Sequence, residues 1–185
     1  MIICAGNNET FPFAQPVGVG LVETAINLTR IALLDPPEFL LFIGSAGSYG
    51  GYDLFSLVES SASANVELAY LDGSAYTPID NVIQSDFLNV SRETNMPIVN
   101  SSNYITTDMH RAKQLRKLGL ELENMEFFSV MQVARSFQIP VGGVFVVTNY
   151  CDEEAHSAFV RNHERAMRLL IEYVVERYGR LIDEA

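Results

Sequence analysis

The chain has no tryptophan, only two cysteines and few basic residues. Each scarcity excludes something. Cys4 and Cys151 stand far apart and form no C-x-x-C pair, so a disulfide framework, a thiolate zinc site and a dithiol redox motif all lack their residues. The two read as free thiols in a reducing compartment. Lys and Arg total 12 against 23 Asp and Glu, a formal charge of −11. Nucleic-acid and anionic-membrane surfaces need clustered cations, and this balance argues against both. A local basic pocket for a small anion stays open. No apolar run approaches the ~18 residues of a membrane span, and no basic-then-apolar leader opens the chain. The expectation is a cytoplasmic protein with no nucleic-acid partner and no membrane partner.

What is present is an ordinary globular balance, with 48% hydrophobic residues in 185. That length suits a single domain spanning 1–185. Met1 to Ala5 reads as a short strand that meets the turn Gly6-Asn7-Asn8. Leu21, Ala25, Leu28 and Ala32 are at helical spacing, and Asp35-Pro36-Pro37 stops that helix. Phe39 to Ile43 is apolar throughout, as in a strand covered on both faces. It runs into Gly44-Ser45-Ala46-Gly47, read as a Gly-rich turn. Residues 54–59, 65–71 and 97–104 are further strand candidates, and 72–95 is a polar loop. Residues 109–118 and 126–137 read as helices, 139–148 as a strand. Phe159, His163, Met167, Leu170, Val174 and Tyr178 mark a long amphipathic helix. Apolar strands alternating with amphipathic helices predict an α/β fold with a mostly parallel or mixed sheet.

Ligands in such sheets bind at carboxyl ends of strands. Three polar strand ends qualify: 44–51, 101–107 and 148–156. The Gly44–Gly47 segment can present backbone N–H groups to an oxygen-rich ligand, but it lacks the lysine of a P-loop, and a plain turn explains it equally. Glu126 at a helix start is stabilised by the helix dipole. A carboxylate there also suits two vicinal hydroxyl donors. Asp152, Glu153, Glu154 and His156 read as a helix start rather than a metal cluster, so no metal is assigned.

Taken in order, "VGVGLVETAIN", "FIGSAGSYGGYD", "NSSNYITTD" and "ENMEFFSVMQVARSFQIPVGGVFVVTNYCDEEAH" resemble the nucleoside phosphorylase/nucleosidase family. The methylthioadenosine/S-adenosylhomocysteine nucleosidases are the branch most similar. The resemblance implies a three-layer α/β sandwich with a central mixed sheet. It implies cleavage of the N-glycosidic bond of a purine nucleoside, with water or phosphate as nucleophile and no cofactor beyond phosphate as a possible co-substrate. It also implies a homodimer or higher homo-oligomer, for which Tyr70, Tyr76 and the loop 72–95 are candidate lids or interface parts. Residue by residue, Glu126 matches the glutamate that holds the ribose 2′ and 3′ hydroxyls, and Met125 the side chain under the sugar. Tyr104 matches the aromatic that stacks on the purine, with Ile105 beside it. Ser45, with Gly47 in the same segment, faces the nucleophile. Thr148 precedes the catalytic acid, and Glu9 falls near a nucleophile-side glutamate.

The chain departs from the family pattern in three ways. Asn149 stands on the catalytic aspartate, and an amide has no titratable proton to give. Phe145 stands where the family carries an arginine near the nucleophile; Arg111, Lys113 or Arg116 would have to substitute. The segments before Val17 and between 72 and 97 are short. Two readings follow. One is an enzyme with Asn149 and Glu126 at its centre and a preference for 6-oxopurines. The other is an inactive nucleoside-binding or structural homologue.

Overall fold

Two apolar runs build the centre of the sheet. In the computed structural model, which describes residues 1–85 and 96–183, Leu40–Ser48 forms strand β3 and Val141–Tyr150 forms β9. They pair in parallel from Leu40 opposite Val141 to Ser48 opposite Tyr150. Nearly every residue of both is buried, as coverage on two faces demands. Alternation sends Phe145 and Val147 into a cluster with Leu28 of α1 (Gly20–Leu34) and Val130 of α4 (Phe127–Phe137). It sends Val144 and Val146 into a second cluster with Leu170 and Val174 of α5 (Ala155–Asp183). The result is the expected sandwich, with helices on both faces of a nine-stranded mixed sheet.

β9 takes one edge of β3, and β4 (Leu57–Ser60) lies antiparallel on the far side of β9. The other edge of β3 changes partner midway. Leu41 and Phe42 stand opposite Ile2 and Ile3 of β1 (Ile2–Cys4). Gly47 and Ser48 stand opposite Glu123 and Leu122 of β8 (Leu120–Asn124). Between Phe42 and Gly47 that edge carries no registered pair among the described residues. A sheet that switches neighbours this way leaves a crevice at its carboxyl ends. The sheet continues from β8 through β7 (Ile98–Ser101) and β5 (Ala62–Ala64) to β6 (Val82–Gln84), and β2 (Gln15–Pro16) flanks β1.

Several local expectations differ from what is observed. Gly44–Gly47 is strand, not turn. Glycine is needed there because side chains press on the strand: a Cβ on Gly44 would lie 2.7 Å from Glu9 Oε2, and one on Gly47 2.8 Å from Cys151 Sγ. Residues 65–71 do not continue a strand. Val66 N–H turns to the Asn100 side chain at 2.8 Å, the chain leaves the ladder, and Leu68–Leu71 makes one helical turn, α2. β8 is a strand that propensity hides, since its sequence is Leu-Glu-Leu-Glu-Asn. β6 lies inside the expected loop 72–95, whose later part, 86–95, is outside the described residues. Among the described residues no helix is long and apolar enough to cross a membrane.

Candidate active site

The crevice at the divided edge of β3 holds a cavity of about 310 Å³. Glu9 enters it from the loop after β1. Backbone bonds between Gly6 and Glu9 (3.2 and 2.9 Å) close that loop, with Gly6 and Asn7 at φ 98° and 55°. The Glu9 carboxylate fills the place of the missing strand neighbour. Ser45 N–H donates to Oε2 at 3.2 Å, and the Ser45 hydroxyl donates to Oε1. Burial pushes the Glu9 carboxyl above its ordinary range, against the pull of the two Ser45 bonds.

Glu126 enters from the turn between β8 and α4. It accepts from Gly20 N–H at the start of α1 (2.8 Å), from Asn124 Nδ2 (3.1 Å) and from Met125 N–H (3.2 Å). Asn124 also caps α4 by accepting from Phe127 N–H at 3.1 Å. So Glu126 lies at two helix amino ends, where the dipoles favour an anion. Burial nevertheless dominates, and with the negative charge of Glu9 it pushes the carboxyl up to about 7 against the Gly20 bond.

β9 delivers Thr148 and Asn149. Its ladder with β3 shifts register between Ala46 and Gly47, skipping Thr148. The bulge breaks the alternation, and both side chains line the cavity. Thr148 Oγ1 donates to Asn149 Oδ1 at 2.8 Å, and Asn149 Nδ2 donates to Tyr150 O at 3.0 Å. The Tyr150 bond fixes the amide's orientation, because a carbonyl oxygen only accepts and Nδ2 must face it.

Met125 lines the cavity with Ser45 and Gly47, and Tyr104 and Ile105 stand at its mouth, 75% and 51% exposed. The sequence therefore placed all nine candidates around one space. Phe145 is different. It is fully buried against Phe42 and Phe127, with ring centroids 5.8 and 5.0 Å away. Arg111 pairs with Asp72 at 2.8 Å and Arg116 bonds Gly50 O at 2.8 Å. Neither these nor Lys113, Tyr70 or Tyr76 line the cavity. Its carboxylate and imidazole lining is Glu9, Glu123, Glu126 and His156, with no Lys or Arg among the described residues.

Glu123 is the residue that sequence reasoning missed. It is buried and accepts from Thr106 N–H (2.8 Å), Thr106 Oγ1 (2.5 Å) and Tyr49 OH (2.8 Å). It thereby anchors the loop that carries Tyr104 and Ile105. The alternation Leu120-Glu121-Leu122-Glu123 was its available signal. Among the described residues no group of three or more His, Cys, Asp or Glu is placed to hold a metal.

Residues 3–178 match the family described as the phosphorylase superfamily. The chain belongs to that superfamily. No curated protein matches the sequence. Among solved structures, this superfamily member is similar to the native futalosine hydrolase of Helicobacter pylori strain 26695, with 19% identity, a TM-score of 0.80, and 100% of this chain and 97% of that one covered. It is similar to the H. pylori 5′-methylthioadenosine/S-adenosylhomocysteine nucleosidase bound to butyl-thio-DADMe-Immucillin-A, with 16% identity, a TM-score of 0.79, and coverage of 100% and 97%. The S. pneumoniae nucleosidase with the transition-state inhibitor MT-ImmA is also similar, at 14% identity and a TM-score of 0.73, covering 94% of this chain and 95% of that one. At these identities the likeness is one of superfamily fold.

Proposed function

We propose that the chain hydrolyses the N-glycosidic bond of a purine nucleoside. The observation that carries this is the Glu9–Ser45 pair in one cavity with Glu126 and, among the described residues, without Lys or Arg. As the bond breaks, the ribose gains positive charge, and carboxylates facing it stabilise that charge. A phosphate dianion entering the same space would meet Glu9, Glu123 and Glu126, with no Lys or Arg among the described lining residues to offset them. Water suffers no such repulsion. Glu9, with its raised carboxyl, suits a general base for that water, and Ser45 orients it. Glu126 holds the paired ribose hydroxyls. The structural relatives named as hydrolases and nucleosidases support the choice of water.

Asn149 reads the base. Its Oδ1 accepts from Thr148 and one Nδ2 hydrogen goes to Tyr150 O, which leaves the second Nδ2 hydrogen to donate to a ligand. A donor suits purine N7 and a 6-oxygen and does not suit a 6-amino group. Tyr104 stacks on the base from the mouth, with Ile105 beside it. A second copy of the chain covers that mouth, giving a homodimer or larger assembly.

The test is base release from a panel of purine nucleosides with and without phosphate. Free base should appear faster from inosine- and guanosine-like substrates than from adenosine-like ones, at a rate indifferent to phosphate. No free base from any nucleoside under either condition would sink the proposal. One observation favours a second reading, an inactive nucleoside-binding homologue: Asn149 has no proton to give a leaving purine. Thermal stabilisation by nucleosides without product would support it.

A further inference from the structure

His163 lies on α5, outside the lining of the cavity. Its Nε2 meets Asn8 O at 2.8 Å. A carbonyl oxygen only accepts, so Nε2 carries the hydrogen. Asn8 immediately precedes Glu9 in the tight loop after β1, so this bond ties the loop to the helix. The ring also packs against Phe159, which does line the cavity, at a centroid distance of 5.0 Å. His163 Nδ1 is buried without a hydrogen-bond partner among the described residues.

The charges around Glu9 make this tether matter. Cys4 on β1, a thiol, and Glu126 before α4 both interact unfavourably with a charged Glu9. Ser45 on β3 supplies two donors but no charge. Among the described residues, His163 is the basic group that acts favourably on Glu9. A buried carboxyl on a loop needs a fixed backbone beneath it to stay aimed.

We propose that His163 is a positioning residue for Glu9: its Nε2–H holds the Asn8 carbonyl, which keeps the Glu9 carboxyl against Ser45. The role rests on the reading of Glu9 as the group that activates water, but its test does not require turnover. Two variants separate its parts. His163→Gln keeps an N–H donor and loses the ring. His163→Phe keeps a ring against Phe159 and loses the donor.

Two direct readouts apply to the folded protein. The first is the Glu9 carboxyl titration, followed by carbon-13 NMR. Loosening the loop weakens the two Ser45 bonds that pull it down, so it should move to higher pH in the Phe variant and stay near wild type in the Gln variant. The second is hydrogen exchange at the Asn8–Glu9 amides. It should quicken in the Phe variant by about tenfold, the worth of one lost hydrogen bond, and stay near wild type in the Gln variant. Where nucleoside is turned over, kcat should fall about tenfold in the Phe variant with KM little changed. The Gln variant should recover most of that loss. An unchanged Glu9 titration together with unchanged amide exchange in both variants overturns the proposal. If instead both readouts move while no nucleoside is cleaved, the hydrolase reading fails and the tether stands.

Discussion

Glu126 shows how one residue couples stability to chemistry. Its carboxyl is raised from an ordinary 4.5 to about 7, chiefly by burial. The folded state therefore binds more protons than the unfolded state inside that window. Stability is highest below it and falls as pH rises through it. The loss from this one group is up to about 3 kcal/mol. Glu126→Gln should flatten that fall, as denaturant midpoints on either side of the window would show, and should lower turnover sharply, because the proposed ribose contact keeps only one of its two acceptor oxygens. Asn149 gives the complementary prediction. Asn149→Asp restores an acid in a cavity that already holds three carboxylates, surroundings that favour its protonated form. The variant should release base from adenosine-like substrates faster than its parent, by up to about 10²–10³ in rate. A panel in which adenosine-like substrates stay as slow as in the parent would show that the amide is not what limits them.

At the scale of elements, the divided edge of β3 creates the site. β1 and β8 share that edge in succession, and the side chain of Glu9 replaces the strand that neither supplies. β9 shows the opposite principle, that a position on a functional strand can be committed wholly to packing. Phe145, Phe42 and Phe127 form one ring cluster, and a Cβ on Gly143 would stand 2.7 Å from the Phe145 ring and 2.8 Å from the Phe127 ring. Restoring an arginine at 145 would bury an unpaired charge there. Phe145→Arg should cost of order 3–5 kcal/mol, measurable by chemical denaturation, without raising turnover. The far end of α5 is held by Glu59 on β4, which accepts from Tyr173 OH at 2.9 Å, Arg177 Nε at 2.6 Å and Tyr178 OH at 2.6 Å. Those bonds meet the helix where it kinks, at Tyr178.

For the whole molecule, the exposed surface near the site bears on assembly. Tyr104 and Ile105 are exposed at the mouth. So are Val22 and Ile26 on α1, whose first turn bonds Asn103 through Leu21 N–H at 2.8 Å. Exposed apolar side chains gathered beside a cavity favour a partner surface. Light scattering should return at least twice the monomer mass, and a strictly monomeric mass would leave the mouth open to solvent and contradict the proposed assembly.

The sequence by itself determined the layers, but it ended β3 at Ile43 where the strand runs on to Ser48. The apolar runs at 40–43 and 144–147 read as strands covered twice, and the stripe through Leu170 and Val174 reads as a helix face packed on a sheet. Those patterns report burial, which each residue carries in its own chemistry. The acids and amides at the ends of those runs were legible for the same reason, because a polar residue ending a buried strand must meet solvent or a ligand. Only the tertiary structure decided what those polar groups do to each other. Glu9 reaches Ser45 across 36 residues, and Glu126 reaches Gly20 across 106. Neither contact leaves a trace in local spacing. The switch of partner on β3, the commitment of Phe145 to the core and the His163–Asn8 tether are likewise long-range pairings. They arise when the chain closes on itself, and no window of neighbouring residues contains them.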